Sequence, residues 1–358
     1  MKPRERCIRS INHEEVDRVP LVLRIRPEPL RRLMDKLKIS HYDKLCNYLG
    51  IDIRGVGVPL KGGYSIPNAR IGEQGWIIKE GKGYQIEQSI FGYRVIFHRP
   101  FTHTYTYIYH PLKHIPLDEY IWPEVDESCI SEIKKIRKKY EDFCLYGGVT
   151  HMWEVAWKLT GFESMMIMLF REPWKVEKIL DGLHKIRMKQ AKLLCEAGVD
   201  VIVDGDDVGM QKSMMISPSI WRKFLKPRYR ELIQLSHRGN AFFLFHSDGW
   251  IEPIIPDLIE IGVDILNPVQ PECMDPAEIH QKYGEKLCFD GTISIQRTLP
   301  FGKVEDVINE VKLRIKTIGY TGLILGPSHA IQPETPIENI IALYEAAKKY
   351  GRNPKYKA

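Results

Sequence analysis

The sequence predicts an α/β fold, either a TIM (β/α)8 barrel or an open doubly wound sheet, and three observations carry that prediction. Short apolar runs alternate with amphipathic helical stretches along most of the 358 residues, which is the grammar of a largely parallel sheet. Apolar runs repeatedly end on a polar residue just before the next helix: Asp204, His246, Asn267, Asp290 and, close behind the last run, His329. In a barrel those ends converge on one face, where active sites lie. No Gly-x-Gly-x-x-Gly follows an early apolar run, which counts against a dinucleotide-binding sheet.

Taken in order, residues 3–11 read as a helix with Ile8 and Ile11 on one side among charges. Asp17-Arg18-Val19-Pro20 leads into a strand at 21–23, and helices follow at 27–38 and 42–49. From about 52 to 123 the character changes: Gly, Pro and aromatic residues are frequent, period-two stretches occur at 75–79 and 84–98, and Gly81-Lys82-Gly83 looks like a turn. This stretch is expected to be a β-rich insertion near the start of the barrel, or else a small lid or dimerisation element. The regular grammar resumes with a basic helix from 131 to 141, a buried strand at 143–149 and a long helix at 175–197. Further strands are expected at 199–203, 241–245, 263–266, 286–289 and 322–325. Ser217-Pro218 reads as a helix start. The last helix, 336–350, is expected to begin with Thr335 as cap, Pro336 in first position and Glu338 completing a capping box. The chain is expected to form a single domain over 1–358 that includes the insertion.

The net charge of +6 is spread along the chain, and its densest run, Lys134-Lys135-Ile136-Arg137-Lys138-Lys139, reads as a solvated helix face rather than a nucleic-acid patch. The seven cysteines are dispersed and show no Cys-x-x-Cys spacing, so a reducing, cytoplasmic setting is expected rather than a disulfide framework. The charged N-terminal stretch lacks an apolar signal core. No apolar run approaches the roughly 20 residues that span a bilayer, so no membrane association is expected.

Four groups of residues can carry chemistry. His246, in Phe245-His246-Ser247-Asp248-Gly249, follows an apolar strand; such an imidazole ligates a metal, moves protons or makes a structural hydrogen bond. Asp248 either points into the same mouth or caps the next helix. His329 sits in the Gly/Pro-rich loop Gly326-Pro327-Ser328-His329-Ala330-Ile331-Gln332. Two imidazoles and a carboxylate on one face suit Zn²⁺ with an open position for substrate. Asp204, Asp206 and Asp207 follow a buried strand and either neutralise a metal, bind a cationic group or form a solvated turn; Asp204 is expected to be catalytic and Asp207 to face substrate. His151, Trp153 and Glu154 follow the strand at 143–149 and are expected to form a substrate wall, with helix packing of Trp153 against Trp157 as the alternative. Asn267, Gln270, Asp290 and Gln332 are weaker substrate-binding candidates.

Several segments carry a resemblance to a known family. Arg4-Glu5-Arg6, Asn12-His13-Glu14-Glu15 and Asp17-Arg18-Val19-Pro20 open the chain. Ser217-Pro218 with Phe224-Leu225-Lys226-Pro227-Arg228-Tyr229 lies mid-chain. Gly262-Val263-Asp264-Ile265-Leu266-Asn267-Pro268-Val269-Gln270 and Thr335-Pro336-Ile337-Glu338-Asn339-Ile340 follow. Together they resemble the uroporphyrinogen-decarboxylase-like superfamily over nearly the whole chain. The resemblance implies a TIM barrel and, often, a homodimer. The decarboxylating branch carries an Arg-Gln-Ala-Gly-Arg-Tyr stretch for substrate carboxylates; here the region reads Leu23-Arg24-Ile25-Arg26-Pro27-Glu28 and does not match. The other branch moves methyl groups between corrinoid proteins and thiols, folate or methoxylated compounds. Its coenzyme M members carry a zinc motif, His-x-Cys and then a distant Cys before Thr-Pro-x-Glu-Asn. His246 matches the histidine, Asp248 takes the first cysteine position and His329 the second.

The resemblance therefore implies zinc at His246, Asp248 and His329. With two thiolates replaced, the metal is a harder Lewis acid, suited to an ether or hydroxyl oxygen more than to a thiolate; loss of the metal is the alternative. The expected function is a methyltransferase of a corrinoid-dependent methyl-transfer or demethylation system. It would act on a small-molecule substrate, with the corrinoid carried by a partner protein. A decarboxylase of a carboxylated tetrapyrrole, with Arg24 and Arg26 holding carboxylates, and a non-catalytic ligand-binding barrel are the competing expectations.

Overall fold

The computed structural model describes residues 1–98 and 105–356. Its centre is a closed barrel of parallel strand segments. β1 is the short segment 21–23, β2 is Ile53–Gly57, β3 Cys144–Gly148 and β4 Val201–Gly205. β5 is Phe242–His246, β6 Ile265–Asn267, β7 Cys288–Asp290 and β8 Leu323–Ile324. β2 to β8 lie side by side in chain order, every pair parallel. β1 closes the ring. Val22 N–H donates to Leu325 O at 3.1 Å and Leu325 N–H to Pro20 O at 2.8 Å on one side, while Asp52 N–H donates to Leu21 O at 3.0 Å on the other. A doubly wound sheet leaves two open edges, so this closure selects the barrel between the two predicted architectures.

Strand side chains alternate between two layers. Val22, Ile53, Cys144, Tyr146, Val201, Leu244, Ile265, Cys288 and Ile324 form one buried cluster inside the barrel. Their neighbours Leu145, Ile202, Phe243, Phe245, Leu266, Phe289 and Leu323 belong to the larger core between strands and helices. The opening helix, Pro3–Ile11, adds Cys7 and Ile11 to the inner cluster and so plugs the N-terminal end of the barrel. That end is clamped by ion pairs. Arg6 Nη1 meets Asp52 Oδ1 at 2.5 Å, Arg6 Nε meets Asp17 Oδ1 at 2.6 Å and Arg18 Nη1 meets Asp52 Oδ2 at 2.8 Å. The charged opening motif is therefore structural.

The insertion begins later than the sequence suggests. Residues 53–57 are β2, and their Gly-rich composition hides a strand whose Gly55 and Gly57 sit where an added Cβ meets nothing within 4 Å. The insertion proper is tied at its base by Leu60–Gly62 running antiparallel to Pro123–Val125. Beyond that base Trp76–Gly81, Tyr84–Gln88, Arg94–His98 and Tyr105–Tyr109 make a four-stranded antiparallel sheet. Residues 99–104 of the expected insertion lie outside the described residues.

Two helix starts were open to test. Ser217 Oγ accepts the Ile220 N–H at 3.3 Å, as its position before Pro218 predicts. The capping box at Thr335 does not form. The last helix, Ile337–Tyr350, is preceded by Pro336 in the cap position, which places Thr335 one residue too far upstream, and Glu338 meets Lys36 at 3.2 Å instead. No described helix is long and apolar enough to cross a membrane.

Candidate functional site

His246 is the last residue of β5 and points into the barrel mouth by the same alternation that turns Phe242 and Leu244 inward. In the strand register it lies between Gly205 of β4 and Asn267 of β6. A Cβ at Gly205 would come within 2.8 Å of His246 Cβ, so the glycine is what leaves room for the imidazole. On the other side Asn267 Nδ2 donates to Asp290 O at 2.7 Å and to Asp290 Oδ1 at 3.2 Å. That fixes the amide with its oxygen toward His246, whose Nδ1 lies 2.6 Å from Asn267 Oδ1. The imidazole proton is therefore on Nδ1, and Nε2 offers a lone pair to the mouth. Asp290 is itself anchored by Arg24, Nη1 to Oδ1 at 2.7 Å and Nη2 to Oδ2 at 2.9 Å, and lies 3.3 Å from the Tyr146 hydroxyl.

Two loops bring carboxylates to that nitrogen. The loops after β4 and β5 pack backbone to backbone, since a Cβ on Gly209 would sit 2.4 Å from Asp248 O and one on Gly249, at φ 85°, would sit 2.6 Å from Gly209 C. In that close approach Asp207 Oδ1 accepts the Asp248 N–H at 2.8 Å. His246 Nε2 stands 3.7 Å from Asp207 Oδ1 and 4.0 Å from Asp248 Oδ1. The loop after β8 is pinned by Ile331 N–H to Arg24 O at 2.9 Å and Ser328 N–H to Ile293 O at 2.8 Å. It sets His329 Nε2 at 3.8 Å from Asp248 Oδ2, with its ring centre 5.9 Å from that of His246.

His246, Asp248 and His329 offer ligand atoms that all lie within 4.8 Å of one another. The fit to a cation rests on more than proximity. Asp248 Oδ1 is buried without a hydrogen-bond partner, which is costly for a carboxylate unless a cation serves it. Burial, with His246, Arg26 and Arg24 near, holds His329 below the ordinary imidazole value against the pull of Asp248, which keeps a lone pair free. Burial, with Glu154 and Asp248 near, pushes the Asp207 carboxyl up to about 6 against the pull of His246. Two histidines and one carboxylate form a three-ligand set of the kind that leaves a position open on zinc. If Asn267 orients the ligand nitrogen, Asn267→Leu should weaken zinc binding roughly 10–100-fold, read by competition with a chelating dye; an unchanged affinity would remove Asn267 from the site.

The rest of the mouth is partly open. Gly57 pairs with Gly148 across β2 and β3, and a Cβ at Gly55, Gly57 or Gly148 meets nothing within 4 Å. These glycines leave space on the inner face of β2 and β3. Beside it His151 Nδ1 lies 3.1 Å from Glu154 Oε1, and Lys158 Nζ lies 2.6 Å from Glu154 Oε2. Burial opposes a charge on His151, but the hydrogen bond and charge of Glu154 prevail and raise it from 6.5 to about 9. A raised folded-state value stabilises the fold fully below pH 6.5 and stops doing so as pH rises past about 9. An imidazole-resolved NMR titration should therefore find His151 protonated through neutral pH, and a midpoint near 6.5 would rule the pair out.

Several sequence expectations need correction. Asp204 is not a mouth residue. Val201, Val203 and Gly205 of β4 face inward, so Asp204 faces the helices, fully buried, with Arg187 Nη1 at 2.6 Å from its Oδ2. Trp153 is fully buried in the core and offers no surface to a substrate. Asn267 and Asp290 are also buried, with their polar groups spent on each other and on Arg24, which places them behind His246. Gln270 is likewise a support, its Oε1 accepting the Gly249 N–H at 3.2 Å. Gln332 stays at the rim, its Oε1 buried and unpartnered. Tyr146 was missed, and so was the link from Arg24 to Asp290. The signal for both was alternation, since Val22 and Cys144, two residues earlier in their strands, face inward. A groove of about 870 Å³ beside the helix Pro173–Glu196, lined by Trp122, Lys178 and Lys185 among others, contains none of the expected site residues.

Residues 124–350 match the family model described as uroporphyrinogen decarboxylase (URO-D). The chain is 30% identical over 223 residues to a methylcobamide:CoM methyltransferase, MtaA, of Methanosarcina barkeri, covering 62% of this chain and 63% of that protein. It is 26% identical over 191 residues to a uroporphyrinogen decarboxylase of Trichodesmium erythraeum, covering 52% of this chain and 51% of that protein. The match to the methyltransferase is thus both longer and more similar than the match to the decarboxylase. The chain spans less than two thirds of the length of these relatives. A solved structure of a methyltransferase from Methanosarcina mazei, 22% identical, superimposes with a TM-score of 0.67 over 98% of this chain and 99% of that one, and shows that the two share the barrel fold.

Proposed function

The chain belongs to the uroporphyrinogen decarboxylase family, and on that premise we propose that it is a methyltransferase working at the C-terminal mouth of the barrel, with zinc held by His246, Asp248 and His329. The observation that carries the reading is the seat of His246: Asn267 holds its Nδ1 at 2.6 Å and turns Nε2 toward a carboxylate oxygen that has no other partner. The similarity to methylcobamide:CoM methyltransferases supports methyl transfer, with a corrinoid carried by a partner protein as the other substrate. A bound zinc ion would polarise the heteroatom that carries the methyl group.

The chain's own residues do the rest. The Arg24–Asp290–Asn267 line keeps His246 in one tautomer and one orientation. Asp207, beside both His246 and Asp248, adds a second carboxylate that offsets the charge of a divalent ion. The glycine-lined side of β2 and β3 leaves room for the methyl-bearing molecule. A tetrapyrrole decarboxylase is the weaker reading, because Arg24 and Arg26, the two cations that would hold carboxylates, are already paired with Asp290 and Glu73.

The test is elemental analysis of chelator-treated chain after reconstitution, followed by optical assay of methyl transfer to or from a free cobalamin. One zinc per chain and a corrinoid spectral change that depends on it are expected. A chain that takes up no zinc, or prefers iron(II), which the same donor set also serves, would overturn the proposal.

A further inference from the structure

The charges around the triad pair off in a way that selects the substrate. Arg24 is held by Asp290, Arg26 by Glu73 and Arg187 by Asp204. Lys158 and His151 share Glu154. Behind that trio the buried Asp206 accepts the Glu154 N–H at 2.9 Å and the Tyr229 hydroxyl at 2.6 Å, which places a second carboxyl near His151. Among the described residues Asp207 and Asp248 remain, faced by the imidazoles of His246 and His329 at 3.7–4.0 Å. Two such carboxylates offset one divalent ion. With or without that ion, Arg24, Arg26, Lys158 and His151 are, among the described residues, each already bonded to a carboxylate, and bringing a further carboxylate to this mouth would leave it desolvated and short of a partner.

One of these pairs is set up by the insertion. Glu73 lies on the turn 72–75, and the fully buried Glu87 carboxylate accepts the N–H groups of Glu73, Gln74 and Gly75 at 3.0, 2.6 and 3.1 Å. A side chain at Gly72 would press on that carboxylate, since its Cβ would fall 2.0 Å from Glu87 Oε1. The turn is thus clamped so that the Glu73 carboxylate reaches Arg26 Nη1 at 3.0 Å. Arg26 is tied to the loop that carries His329, its backbone N–H donating to Ile331 O at 3.0 Å, so freeing its guanidinium would leave a cation beside that loop.

We propose that Glu73 is a specificity residue: by neutralising Arg26 it restricts the mouth to uncharged substrates and turns away those bearing a carboxylate, sulfonate or phosphate. This deepens the methyltransferase reading by naming the charge class of its small-molecule substrate, and it rests on that reading for placing the substrate at this mouth.

The test uses two probes of one skeleton, 4-methoxybenzyl alcohol and 4-methoxybenzoate, titrated calorimetrically into the full chain before and after zinc reconstitution. The wild-type chain is expected to bind the alcohol more tightly than the carboxylate. Glu73→Gln should tighten carboxylate binding by roughly tenfold or more, the size of one charge-assisted contact, and Glu73→Gln combined with Arg26→Met should lose that gain. Melting curves confirm that each variant is folded. A wild-type chain that binds the carboxylate more tightly than the alcohol overturns the inference, and so does a Glu73→Gln chain that gains no carboxylate affinity. Zinc content is read on the same samples. A carboxylate gain without zinc uptake sinks the metal reading and leaves this inference standing, whereas zinc uptake without the gain does the reverse.

Discussion

His246→Ala should weaken zinc binding by a factor on the order of 10²–10³, because it removes one of three protein ligands from a site whose binding energy is shared among few bonds. The fold should survive the change. His246 lies at the open end of the lumen with about a fifth of its side chain exposed, so its loss leaves no sealed cavity, and the melting temperature should move little. Methyl transfer should fall at least as far as metal affinity does. His329→Ala is expected to act in the same direction. Asp248→Asn separates charge from geometry, because it keeps an oxygen in place and removes the negative charge that a cation needs. Chelator competition measures all three. Stoichiometric zinc on His246→Ala at wild-type affinity would show that the triad is not the metal site.

The second large effect is at the opposite end of the barrel. Asp52→Ala is expected to cost about 3–5 kcal/mol of stability, because Asp52 is fully buried and meets two guanidinium groups, Arg6 and Arg18, as well as the Leu21 N–H at 2.8 Å. Removing the carboxylate leaves those cations facing each other with Asp17 as their remaining acid nearby. The same contacts tie the opening helix, the segment before β1 and the start of β2 together, so the plug of the barrel loosens with them. Urea unfolding should show the loss as a lower midpoint. Zinc affinity of the folded fraction should stay at its wild-type value, since the metal site lies at the other end of the strands. A cost below about 1 kcal/mol would mean that Arg6 and Arg18 find water or Asp17 as readily.

Much of this was legible in the sequence, and the reason is periodicity. Apolar runs ending on or just before polar residues marked β4 to β8, and their common polar ends predicted that His246, Asp248 and His329 would share a face. β2 was not legible. Its Gly55 and Gly57 look like turn residues, and only the neighbouring strands β1 and β3 make them part of a sheet. The insertion was legible as β-rich but not as the carrier of Glu73, whose partner Arg26 lies 47 residues away.

The sequence by itself determined the α/β grammar, the polar strand ends and the residue types that can bind a metal, because each depends on spacing within one element. Tertiary structure alone decided which of those residues meet. Asp204 and Asp207 are three positions apart, yet one is turned to Arg187 among the helices and the other to His246 in the mouth. The physical reason is that a strand offers its two faces to two different environments, and which face is inside is fixed by closure of the barrel. The tautomer of His246 and the quenching of Arg24 and Arg26 have the same origin, since each is set by a partner that only the closed barrel and its insertion bring within hydrogen-bond reach.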